Sequence, residues 1–84
     1  MKLEKGDIIM VIKDSVSESW NNTIGEIIGI KIDNGITFLD IKLFRFSNGE
    51  YSTQFNKGTE VNYPFYSKDI IKKLTNDELM VELL

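Results

Sequence analysis

The side chains able to do chemistry in this sequence are carboxylates, hydroxyls, lysines and aromatic rings, because it contains no histidine and no cysteine. Without cysteine there is no disulfide, no thiolate nucleophile and no thiolate-held zinc or iron–sulfur site. Without histidine, the usual acid–base group near neutral pH and the commonest transition-metal ligand is missing. Any metal would be a hard ion held by oxygen atoms. Asp33-Asn34-Gly35 has the start of a calcium loop but lacks its further oxygen ligands and its distal Glu, so it reads as a hairpin turn. Asp40, Glu50 and Glu60 have no spacing that pairs two carboxylates for hydrolysis, and no serine has a base to activate it. The expectation is a protein that is not an enzyme, carries no metal or cofactor, and works by binding.

The aromatic residues are the better candidates. Trp20 stands in a polar stretch where a large ring has little core to join, and Tyr63, Phe65 and Tyr66 cluster around Pro64. Rigid amphipathic rings of this kind dominate interface hot spots. Trp20, Tyr63, Tyr66 and Phe46 are therefore the candidate partner-binding residues, against the plainer alternative that Trp20 folds back to cap the core and Phe65 lies inside it. A second possibility is RNA or single-stranded DNA. Phe44 and Phe46 would stack on bases while Arg45 meets phosphate. Only Lys42 adds positive charge nearby, so two packed phenylalanines around a solvated Arg is the competing reading. Lys68, Lys72 and Lys73 are interrupted by Asp69 and followed by Asp77, Glu78 and Glu82, which makes them a solvated face rather than a phosphate site.

Charge supports protein over nucleic acid as partner. Ten basic and thirteen acidic side chains leave a net charge of −3, and duplex binding needs clustered Lys and Arg. The first apolar run, Ile8 to Ile12, is too short for a signal peptide or a membrane span, so a cytoplasmic protein with no membrane partner is the expectation. Twelve Ile, nine Lys against one Arg, and no Ala form the pattern of A+T-rich codons, pointing to a low-GC bacterium, its phages or its mobile elements. The same bias moves intrinsic preference from helix toward strand.

The elements that must position these residues are short. Asp7–Lys13 reads as a strand covered on both sides, followed by a polar loop from Asp14 to Asn22, longer than the usual connection. Thr23–Ile32 is a second strand with Ile24, Ile28, Ile30 and Ile32 on one face, Ile27 on the other, and bends or a bulge at Gly25 and Gly29. Asn34-Gly35 closes a tight hairpin, and the return strand runs from Ile36 to about Phe46 with a bulge near Leu43. After a turn at Ser47-Asn48-Gly49, Tyr51 to Phe55 alternates as a fourth strand, and Asn56-Lys57-Gly58 turns the chain again. Pro64 limits its segment to an edge or a strand end, and a short turn at Ser67-Lys68-Asp69 leads into a brief closing strand. Thr75-Asn76-Asp77-Glu78 is a capping-box pattern that starts a short helix. Its Leu79/Leu83 and Met80/Leu84 pairs need a surface, either the open end of the body, a partner, or a second copy in a homodimer.

Three stretches, KGDIIMVI at 5–12, IGEIIGI at 24–30 and YPFYSKDIIKKL at 63–74, resemble the first strand, second strand and end of a small SH3-like β-barrel of the KOW- or Tudor-like kind found in bacteria and phages. Gly6, Asp7, Gly25, Phe65, Tyr66, Asp69 and Ile70 carry the resemblance. It implies a mainly β fold: a five-stranded antiparallel SH3-like barrel over residues 1–74, with residues 75–84 a short amphipathic helix or tail. The function expected is protein–protein contact by a stand-alone module, an accessory protein that modulates or inhibits a larger enzyme.

Overall fold

The computed structural model describes residues 2–47 and 55–84. Among the described residues five strands, β1 (Ile8–Lys13), β2 (Ile24–Asp33), β3 (Ile36–Arg45), β4 (Glu60–Phe65) and β5 (Ile70–Lys73), and a single 3-10 turn at Glu18–Trp20 precede one α-helix, α1 (Asn76–Leu83). The strands form a single antiparallel sheet in the order β4-β3-β2-β1-β5. The class is mainly β, as the Ile-rich, Ala-free composition favours. Among the described residues the fourth strand is the Pro64 segment. The run expected as a strand from Tyr51 lies outside the described residues up to Gln54, and Phe55 is non-strand chain packed against the core. Proline is tolerated there because β4 is an edge and pairs only with β3, Pro64 standing opposite Phe38.

The closed barrel is not reached by backbone pairing: among the described residues no ladder joins β4 to β5. One face nevertheless wraps on itself. Ile9 and Val11 of β1, Ile27 of β2, Leu39, Ile41 and Leu43 of β3, Tyr63 of β4 and Ile71 of β5 form one buried cluster, which a flat sheet could not bring together. Each such aliphatic side chain contributes about 1.5–3 kcal/mol relative to its exposed state.

Three bulges produce the curl and set which side chains point inward. On β3 the extra residue is Phe44, since Arg45 and Leu43 stand opposite the consecutive Ile24 and Gly25. On β2 it is Ile28, which corrects the face assignment made by simple alternation. Ile27 and Ile30 oppose Ile41 and Leu39, so they share the inward face instead of lying on opposite ones. On β1 it is Ile12, between the pairs Val11/Ile71 and Lys13/Ile70. Gly25 makes the sheet possible at its tightest point, because a Cβ there would run into the Ile41 side chain and lie 2.9 Å from the Lys42 carbonyl oxygen. The β2–β3 hairpin turns through Asn34 at φ 50° and Gly35 at φ 77°, the positive angles that a two-residue primed turn requires. No helix among the described residues is long and apolar enough to cross a membrane.

Candidate interaction site

The loop between β1 and β2 is long but held tightly. Asp14 Oδ1 accepts from the amides of Val16 at 2.9 Å and Ser17 at 2.7 Å, a local turn that Asp favours. Its Oδ2 accepts from the Tyr63 hydroxyl at 2.7 Å, tying the loop to β4. The Asp14 amide donates to Asn21 Oδ1 at 2.8 Å and so closes the loop on itself. From the other side Asp69, in the turn before β5, accepts from the amide and hydroxyl of Ser15 through Oδ1 and from the Tyr66 amide at 2.7 Å through Oδ2. Asp14 and Asp69 are only 8% and 6% exposed. Such burial is tolerable because every carboxylate oxygen is filled.

Burial pushes the Tyr63 phenol well above its ordinary range, and the neighbouring Asp14 carboxylate pushes the same way. Burial also acts to raise Asp69, but the Ser15 hydroxyl and the amides of Ser15 and Tyr66 together outweigh it and hold the carboxyl below its usual value. These two carboxylates are occupied with backbone amides and hydroxyls, an arrangement that anchors a loop rather than one that polarises a substrate.

Beside the pinned loop runs a groove of about 590 Å³ whose lining includes Ile12, Lys13, Val16, Glu18 and Ile70. Three of these are apolar and open to solvent: Ile12, put there by its bulge, Ile70 at 52% exposure, and Val16 at 76%. The groove combines exposed aliphatic side chains with one lysine, Lys13, and two carboxylates, Glu18 and the buried Asp14.

Three of the four candidate partner-binding residues come together, though not as an open patch. The Trp20 ring meets Phe46 edge-on with centroids 5.5 Å apart, Tyr63 at 5.1 Å and Phe55 at 6.1 Å. This aromatic layer covers the core, so the indole finds the packing surface that its polar neighbours gave no hint of. Tyr63 is 0% exposed and belongs to the interior, because it stands opposite Leu39 in the inward row of β4; its place as a surface contact is thereby corrected. Tyr66 is exposed, in the turn next to Asp69, and joins none of the ring contacts among the described residues.

Of the Phe44-Arg45-Phe46 trio, Phe46 packs against the core and Arg45 is drawn into the fold. The Arg45 side chain, 15% exposed, donates to the Asn22 carbonyl from Nε and Nη2 at 3.1 and 3.0 Å and to the Glu82 carbonyl from Nη1 at 2.8 Å. Phe44 and Phe46 are half-buried. Lys72 is paired with Glu78, and Lys73 lies 3.2 Å from Asp7. Sequence reasoning missed Asp14, Ser15 and Asp69 as a unit. The Asp-Ser-Val-Ser run signals a local turn, but partners 49 and 54 residues away leave no local trace. Compared with known proteins, the chain matches no family model, no curated protein and no solved structure.

Proposed function

We propose that this chain is an SH3-like binding module that acts by protein–protein contact through the groove beside its first loop. The observation that carries the reading is the exposure of Val16, on a loop fixed by two buried carboxylates, beside the exposed Ile12 of β1 and Ile70 of β5. Exposed aliphatic side chains on a preorganised loop bind with little ordering cost. Tyr66 extends the same corner of the molecule, one turn from Ile70. Support for the SH3-like assignment comes from β1 pairing with both β2 and β5, the long first loop, and the tight turn before the last strand. An accessory role beside a larger enzyme of a low-GC bacterium or phage rests on the coding bias of the composition. Single-stranded nucleic acid is the weaker partner, since Arg45 spends its donors inside the fold.

Affinity capture from the source cells with a tagged Val16→Asp/Ile70→Asp variant tests this, alongside wild type and an Ile32→Asp control at the exposed hairpin tip. The expected result is a captured protein that is lost with the groove variant and kept with the control. Identical capture by all three, or no capture by wild type, overturns the reading.

A further inference from the structure

Helix α1 is mounted with its charged side inward. At about 3.6 residues per turn, Glu78, Leu79 and Glu82 share the side facing the body. All three are half-buried, while Met80, Val81, Leu83 and Leu84 are left exposed. The expectation that the Leu79/Leu83 and Met80/Leu84 pairs would pack on the body is met only by Leu79. The surface beneath is a row that the strand register lines up. Lys72 of β5 stands opposite Met10 of β1, Met10 opposite Ile24 of β2, and Ile24 opposite Arg45 of β3. Directly paired residues point to the same side of a sheet, so the four form one stripe with a cation at each end and two apolar side chains between. Met10 and Ile24 are buried, yet neither belongs to the core cluster of the other face.

The helix is fastened at both ends of this stripe. Glu78 pairs with Lys72, and Arg45 reaches the Glu82 carboxylate at 3.4 Å and donates to the Glu82 carbonyl at 2.8 Å. Acid, aliphatic, acid on the helix thus meets cation, apolar pair, cation on the sheet. Little secures α1 in that seat. None of its residues is fully buried, both ion pairs are partly open to water, and a groove of about 310 Å³ separates it from the end of β5, with Lys72, Leu74, Glu78 and Glu82 in its lining. Exposed ion pairs contribute little, and eight residues are too few to be helical by themselves. Release would leave the outer apolar side chains in water as before. It would also leave Arg45 aimed at the seat, because the Asn22 carbonyl still holds its Nε and Nη2.

We propose that the Lys72–Met10–Ile24–Arg45 stripe is a docking site for an acidic amphipathic helix of a partner protein, with carboxylates at i and i+4 and an aliphatic residue at i+1, and that α1 is the built-in competitor that keeps it closed. Carboxylate is the ligand chemistry because two carboxylates and a helix-end carbonyl are what Lys72 and Arg45 hold now. A cation at a helix C-terminus also meets its partial negative charge. The stripe shares no residue with the first-loop groove. A partner's apparent affinity falls with the fraction of molecules in which α1 is seated, so loosening α1 strengthens binding.

The probe is a synthetic helical peptide with glutamates at i and i+4 and leucine at i+1, and a lysine-for-glutamate version is its opposite. Each is titrated into the ¹⁵N-labelled full chain. The acidic peptide should shift the Arg45 Nε–H resonance and accelerate hydrogen exchange in residues 76–83 as α1 is displaced. Glu78→Gln/Glu82→Gln keeps the capping box but removes both inward charges of α1, and should tighten the peptide by about three- to tenfold with unchanged melting. In that background Lys72→Gln should weaken the peptide again, and Val16→Asp should leave it unaltered. Binding by neither peptide, equal binding of both, binding that leaves α1 in place, or no gain from the Glu78/Glu82 variant would each overturn the inference. So would tighter binding of a single-stranded oligonucleotide than of the acidic peptide by that variant, or sedimentation showing that a second copy fills the seat.

Discussion

Asp14 and Asp69 sit in the interior with all four carboxylate oxygens filled, so each donor they hold matters in proportion to what its loss would strand. Tyr63→Phe keeps the ring and its packing on Trp20 but leaves Asp14 Oδ2 without its partner. Removing one side of a buried hydrogen bond to a charged group costs about 1–3 kcal/mol, a lower urea midpoint with an unchanged slope. Gly25→Ala acts at the backbone: the new methyl must displace Ile41 or the Lys42 carbonyl, neither of which can move without shifting β3. A loss of about 1–3 kcal/mol, the ordinary cost of overpacking, is expected from the same measurement. Gly25 was visible in the sequence as a bend, but that its neighbour is Ile41 depends on the pairing of two strands, which no local pattern contains.

At the scale of elements, α1 stands on its cap and on two ion pairs. The Glu78 amide donates to the Thr75 hydroxyl at 3.2 Å and the Thr75 amide donates to Glu78 Oε1 at 3.1 Å, the reciprocal pair that the sequence announces. Thr75→Ala should therefore cost the helix about 1 kcal/mol. Because no helix residue is fully buried, global melting should barely change while hydrogen exchange in residues 76–83 accelerates. Arg45→Met should free the helix in the same assay and also loosen Asn22, whose carbonyl the guanidinium holds. The hairpin at Asn34-Gly35, the edge position of Pro64 and the capping box were all legible because each follows from the backbone preference of one or two residues. The inward mounting of α1 was not. Its periodicity gives two sides, and only the positions of Lys72 and Arg45 determine which side faces the body.

The whole molecule should be stable over a broad middle range of pH and lose stability at both ends. Asp69 is held below the ordinary 3.8, and Asp7 and Glu78 are also lowered by their amide and lysine partners. A depressed carboxyl contributes fully above its unfolded pKa, and that contribution disappears as pH falls through the folded value. Urea midpoints should thus hold steady near neutrality and decline below about pH 4, with a shallower decline in Asp69→Asn. Tyr63 is raised above its ordinary 10.0, so its contribution is whole below that value and is lost as pH rises past it. Tyr63→Phe should flatten the alkaline limb.

By itself the sequence determined the class of this protein: mainly β strands punctuated by Asn-Gly turns, a capped terminal helix, and no thiol or imidazole chemistry. These follow from side-chain type and short-range spacing, which act before the chain has a shape. Tertiary structure decided the rest. What Trp20 and Tyr63 pack against, which Ile side chains face water, and what Arg45 holds are set by residues far away in sequence. A single-residue bulge reverses a face, and a partner 49 positions distant fills a carboxylate. The open groove at Ile12, Val16 and Ile70 and the exposed side of α1 are likewise properties of the assembled sheet, because exposure is what remains after every other contact has formed.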